Sequence, residues 1–246
     1  MHHKTSQVHY RLNLAGISLP CTFTFPDCAG YFGAYCTGPV PGPGSVAVSD
    51  QYWEDWVRNI GPKNAFNEYS ALASVASQSL LDFRRCVIHA AAIRWLDHAY
   101  LIAAPSGVGK STQVKTLRAL YPGEFTVISG DRPVLELRED GSVIAHPSPW
   151  NGKEGWCGAE AAPVAAVILL ERGVENTLQR LSVRQAAAPV FAALLQTADS
   201  ESSIRKVAAF ESELLQRVPV WQMVNAGVPD SSRILYESVM QGGVKS

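Results

Sequence analysis

The sequence predicts an α/β fold with an antiparallel component, and three observations point to it. Strand-like and helical runs mix along the whole chain rather than segregating into halves. A strand hairpin over Cys86–Pro105 leads directly into a Gly-rich turn and an amphipathic helix. Residues up to about Gly44 alternate apolar and polar in short runs broken by Gly and Pro, which marks short strands and turns. A chain of 246 residues forms one large domain or a core with an appendage. The expected division is a β-rich segment with a Pro/Gly linker over 1–66 and the main unit over 67–246.

The elements follow in order. "YRLNLAGISL" and "TFTF" read as short strands, and "TGPVPGPGS" (Thr37–Ser45) as an extended loop. From Asn67 to Phe83, Leu72, Val75, Leu80 and Leu81 are spaced for one apolar face of a helix. Cys86–Trp95 and Ala99–Pro105 are strand-like around a short Leu-Asp-His turn. The segment from Ser111 puts Val114, Leu117 and Tyr121 on one side of a helix that stops at Pro122-Gly123. "FTVIS" is a strand ending at Gly130-Asp131, and "VLELREDGSVIAH" is a hairpin with Asp140-Gly141 in its turn. "APVAAVILLE" reads as a buried strand. Helices are expected over Ser182–Leu195, bent or broken at Pro189, and over Ser200–Arg217. A strand, "VPVWQMV", and a helix from near Asp230 close the chain.

Composition excludes several functions. Apolar residues make up 47% and charged ones 17%, too apolar for a disordered chain. The net charge is −1 and no Lys/Arg stripe stands out, so the footprint of a nucleic-acid binder is missing. The longest uncharged apolar run, around Ala161–Leu170, is too short to cross a bilayer. "MHHKTSQVHYRLNL" has no apolar signal core, so the cytoplasm is the expected compartment. Cys21, Cys28 and Cys36 are spaced by seven and eight positions, unlike a zinc knuckle, and are expected as small buried side chains.

The segment "LIAAPSGVGKSTQVKTL" carries chemistry. A phosphate loop needs backbone N–H groups turned into one concavity, a lysine for the β/γ-phosphates and a hydroxyl for Mg²⁺. Ser106, Gly107, Val108, Gly109, Lys110, Ser111 and Thr112 supply these, and the following helix aims its positive end at the anion. Ala104 stands where the loop normally begins with glycine, and alanine serves there if its φ is negative. Such a loop needs a second carboxylate at a strand end to hold the metal's water shell or act as base. Asp131 meets that need; His89, on the hairpin strand ahead of the loop, is placed to approach the γ-phosphate.

Together, "IHAAAIRW", "AYLIAAPSGVGKST", "VISGDRPVLEL" and "PSPWNGKEG" resemble the HPr kinase/phosphorylase catalytic core. That core shares its architecture with phosphoenolpyruvate carboxykinase and occurs in smaller peptide-modifying kinases. The resemblance spans about Leu80 to the C-terminus and implies a P-loop kinase core with a mixed sheet. It implies an ATP-dependent transfer to a hydroxyl, that of Ser or Thr in a protein or peptide, with Mg²⁺ held by Ser111 and Asp131. Lys110 would act on the transferring group, and His89 matches the family histidine facing the reacting phosphate. The family's kinases assemble into hexamers, which leaves a homo-oligomer open for this chain.

One departure matters. The family has two consecutive aspartates where this chain has Gly130 and Asp131, so the general base is open among Asp131, His89 and Glu154. In "HPSPWNGKEGWCG" (His146–Gly158), glycines allow sharp turns, and Lys153 would neutralise phosphate charge or hold the substrate. Trp150 and Trp156 are expected exposed or half-buried. Arg172 is a weaker candidate for phosphate contact. Two other classes stay open: a nucleotide-binding regulatory module without transfer, for which Gly130 speaks, and a small-molecule kinase or phosphorylase.

Overall fold

Two β-sheets, one small and one large, carry the chain among the residues described by the computed structural model: 8–39, 46–158, 160–197 and 200–242. The first is antiparallel. β1 (Val8–Leu14) and β2 (Ile17–Phe23) form a hairpin whose two turn residues, Ala15 and Gly16, have φ of 48° and 79°. Positive φ at both central positions matches the twist of the strands. A short helix, α1 (Cys28–Phe32), leads to β3 (Cys36–Thr37), which pairs with β1. The Pro/Gly loop expected over Thr37–Ser45 falls largely outside the described residues.

The N-terminal part also holds α2 (Asp50–Asn59), which the sequence reading treated as linker. Ser49 caps it by accepting from Tyr52 N at 3.2 Å, and Trp53 and Trp56 bury one face. α3 (Ala65–Leu80) begins at the Asn64 cap and continues as a 3₁₀ turn to Phe83. Its Ala71, Leu72, Ala76 and Leu80 share one core with Leu12, Leu14 and Phe23 of the small sheet. Glu68 is fully buried, and its two oxygens accept from Thr24 N at 2.6 Å and Phe25 N at 2.9 Å. Those bonds fasten the end of β2 to α3 and satisfy a buried carboxylate that would otherwise be costly.

The large sheet is mixed. It contains β4 (Arg85–Val87), β5 (Ala90–Trp95), β6 (His98–Ala103), β7 (Phe125–Ser129), β8 (Val134–Leu137), β9 (Val143–His146), β10 (Ala162–Arg172), β11 (Thr177–Arg180) and β12 (Val220–Asn225). Its order is β4-β8-β9-β10-β6-β5-β7, with β12 also pairing β10 and β11 pairing β12. β10 is the hub: it meets β9 antiparallel at its start, then β6 and β12 in parallel. Parallel neighbours on both sides explain its near-continuous apolar sequence.

Helices cover both faces. α4 (Lys110–Leu120) and α7 (Asp230–Leu235), which runs on into a π-helical turn to Gln241, pack Val114, Leu117 and Leu235 on Ile102, Ile168 and Leu170. α5 (Val183–Ala193) and α6 (Glu201–Arg217) pack Val190, Val207, Phe210 and Leu214 on Leu101, Val167 and Leu169. Each such side chain, moved wholly out of water, contributes about 1.5–3 kcal/mol. Cys21, Cys28 and Cys86 are fully buried, and burial pushes the thiols of Cys21 and Cys86 up to about 12. No helix among the described residues is long and apolar enough to cross a membrane.

Candidate phosphate-binding site

β6 delivers the loop at the carboxyl end of a parallel pair, where α/β sheets place their ligand sites. The strand stops at Ala103, and Val108 N closes a turn on Pro105 O at 3.3 Å. Gly107 has φ of 81° and Gly109 of 125°, conformations that favour glycine. A Cβ would meet nothing at either, so backbone conformation, not room, selects glycine there. Among the described residues only Ala15, Arg84 and Leu96 combine a side chain with positive φ, so Ala104 needs no glycine. Gln113 N then bonds Gly109 O at 2.9 Å, and α4 begins at Lys110 with its free N–H groups at the loop.

Lys110 Nζ donates to Ala104 O at 2.9 Å and lies 3.0 Å from His89 Nε2. Burial lowers the lysine's pKa from its usual value, against the opposing pull of Asp131. The expected single strand over Cys86–Trp95 is instead two, β4 and β5, broken at Ile88-His89. At the break the backbone bonds three different segments: Ile88 N to Pro133 O, His89 N to Ala193 O and Ala90 N to Asp131 O, at 3.1, 2.8 and 2.9 Å. The chain there leaves its pairing with β8 for its pairing with β6 and β7, and a continuous ladder could not serve both.

Asp131 lies just beyond β7. Its Oδ1 is 3.3 Å from His89 Nε2 and its Oδ2 is 3.3 Å from Arg132 Nε. Burial works to raise this carboxyl, but the hydrogen bond to His89 and the charges of His89, Arg132 and Lys110 outweigh it and hold it below the usual range. The His89 and Asp131 side chains keep 31% and 24% of their surface exposed, so neither is sealed inside the core. His89 Nε2 faces a donor and an acceptor at once. One imidazole nitrogen either accepts from Lys110 or donates to Asp131, not both in one protonation state.

The His146–Gly158 loop folds over this group. Gly130 N donates to Trp156 O at 2.9 Å, and a Cβ on Gly130 would lie 2.6 Å from Asn151 O. The docked loop therefore leaves no room for a side chain at 130. Gly152, at φ of 68°, sits against Asp131: a Cβ there would be 3.0 Å from Asp131 Cβ. Trp150 is buried rather than exposed, with Nε1 donating to Tyr69 O at 2.8 Å, because it fills the core between α3 and the loop. Trp156 is half-buried, its ring 5.7 Å from Lys115 Nζ.

Other residues named from sequence lie as follows. Glu154 pairs with Lys115 at 2.9 Å, and no contact among the described residues joins it to His89 or Asp131. Lys153 is exposed and makes no hydrogen bond or ion pair among the described residues. Ser106 and Thr112 are exposed, and Ser111 is half-buried in the first turn of α4. Arg172 donates to Gly107 O and so braces the loop backbone. Sequence reasoning missed Arg132, whose Nη1 donates to Ser70 O of α3 at 3.0 Å. Its position directly after Asp131 was the available signal.

A hydroxyl and a carboxylate are the hard oxygen donors Mg²⁺ takes when substrate phosphates complete its shell, so Ser111 and Asp131 fit such an ion by type. Among the described residues no group of three or more His, Cys, Asp or Glu gathers as a separate metal site.

No family model and no curated protein matches the chain. Among solved structures it is similar to the HPr(Ser) kinase/phosphatase from Coxiella burnetii, at 10% identity and a TM-score of 0.36, over 65% of this chain and 97% of that one.

Proposed function

We propose that the chain is an ATP-dependent phosphotransferase that moves the γ-phosphate to a hydroxyl acceptor, Ser or Thr of a protein or peptide. The observation that carries this reading is the assembly of Lys110, His89 and Asp131 within 3.0 and 3.3 Å at the mouth of a glycine loop. Three cationic, basic and acidic groups at one loop are what phosphoryl transfer requires, since it depends on positioning and charge neutralisation.

In this reading the amides of Ser106–Thr112 cradle the triphosphate and Lys110 turns from Ala104 O to the β/γ-phosphates. Ser111 and Asp131 would hold the nucleotide's Mg²⁺, which neutralises charge on the phosphate oxygens. Asp131, kept as a carboxylate, accepts the acceptor's hydroxyl proton as its oxygen bonds to Pγ and the bond from Pγ to the bridging oxygen breaks, releasing ADP. Once Lys110 leaves for the phosphate, His89 Nε2 is free to orient Asp131 by donating to Oδ1. Lys153 would meet substrate or phosphate from the overlying loop. Gly130, the chief support for a module without transfer, has a steric explanation in Asn151.

Calorimetry with MgATP followed by a transfer assay tests this. Binding in the wild type with loss in Lys110→Ala, plus labelled acceptor, is the expected result. Binding without transfer to any hydroxyl would instead favour a regulatory module.

A further inference from the structure

We infer that the cavity on the α5 side of His89 is the acceptor subsite, and that it takes a peptide whose residue beside the hydroxyl is apolar. The inference rests on the phosphotransfer reading above and adds what the acceptor looks like.

Strand alternation divides the sheet's two faces at the loop. On β10, Ile168 and Leu170 pack on the α4 side, and Arg172, of the same parity, reaches the phosphate loop at Gly107. Leu169 and Glu171 have the opposite parity, and Leu169 packs in the core under α5 and α6. A cavity of about 410 Å³ opens on that second side, at the ends of β6 and β10. Ala103 and Leu169 line it from the strands, and Pro189 and Ala192 from the last turns of α5. The bond from His89 N to Ala193 O holds that end of α5 in place.

Its two side-chain polar groups are His89 and Glu171. His89 is also the residue that touches Lys110, so a hydroxyl entering at that end comes next to the lysine that would grip the phosphate. The other lining residues are Ala, Pro and Leu, whose side chains offer no hydrogen-bond partner. A sugar or other polyol would leave most of its hydroxyls without a side-chain partner, which costs more than it gains. An acidic neighbour would meet the Glu171 carboxylate. An aliphatic side chain loses only water. The volume suits a small ligand or one or two side chains.

The test uses the full chain, MgATP and synthetic peptides with one Ser flanked by Leu, Val, Gly or Asp. The Leu and Val peptides should be phosphorylated with kcat/KM about tenfold or more above the Asp peptide, the scale of burying one aliphatic side chain. Ala192→Trp, which fills the cavity, should bring the series to within about twofold. Glu171→Lys, at an exposed position, should raise the rate of the Asp peptide instead. Equal wild-type rates, an Asp preference, or a Leu preference that survives both substitutions would overturn the inference. So would a protein that binds MgATP in calorimetry and phosphorylates none of the peptides. If the wild type does not bind MgATP at all, the phosphotransfer reading itself falls.

Discussion

Asn151 and Gly130 meet backbone to backbone: the carbonyl of Asn151 stands where any side chain at position 130 would begin, 2.6 Å from a Cβ. Placing a second acidic residue beside Asp131 by Gly130→Asp should therefore push the 151–157 loop away rather than supply a second base. We expect a loss of about 1–3 kcal/mol in urea unfolding, the usual scale of overpacking. We also expect no gain in transfer rate. A stable, faster variant would mean the loop yields freely.

Asp131 and Glu154 separate as candidate bases by their partners. Asp131 faces His89, whereas Glu154 faces Lys115 on the outer side of α4. Asp131→Asn should lower kcat by about 10²-fold or more, the scale of a lost general base. Glu154→Gln should cost less than about threefold, the effect of loosening one half-exposed ion pair. Steady-state kinetics on both variants gives the comparison, and the reverse ranking would move the base to the loop.

Arg132 Nε stands 3.3 Å from Asp131 Oδ2 as an ion pair without a hydrogen bond, while Nη1 donates to Ser70 O of α3 at 3.0 Å. Arg132→Ala should lower kcat about 10-fold to 100-fold through misplacement of the carboxylate. KM for MgATP should change little, and Arg132→Lys should restore part of the rate. A pure rise in KM, with kcat kept, would assign Arg132 to nucleotide binding.

Glu136 supplies an acid-sensitive contact away from the site. Burial works to raise it, but the hydrogen bond with His146 at 2.8 Å and the charges of Arg85 and Arg138 hold it below the usual range. A carboxyl depressed in the folded state adds stability that is complete above the unfolded value, about 4.3, and is lost as pH falls below it. The difference in Tm between wild type and Glu136→Gln should thus shrink as the pH falls from about 6 to about 3. A constant difference would show that the contact is not ionic.

The fold was largely legible because period and punctuation agree in most elements. Leu72 and Leu80 lie on the buried face of α3, and Asp140-Gly141 turns β8 into β9 as read. α2 escaped notice although Ser49, Trp53 and Trp56 carry its cap and apolar face, because the Pro/Gly run before it suggested linker. The break at Ile88-His89 was invisible for a different reason. It is imposed by Pro133, Ala193 and Asp131, distant in sequence, while the run itself is uniformly strand-like. At the site, Gly107, Gly109 and Lys110 are read from local backbone needs. The role of Gly130 depends on a loop some twenty residues away, which no local pattern encodes.

Titration calorimetry of MgATP into wild type and Lys110→Ala, with thermal unfolding as a check on folding, probes the site most directly. The expected outcome is saturable 1:1 binding in the wild type that weakens at least about tenfold in the variant at near-equal Tm. Equal affinity in two folded proteins would contradict a triphosphate held at Lys110.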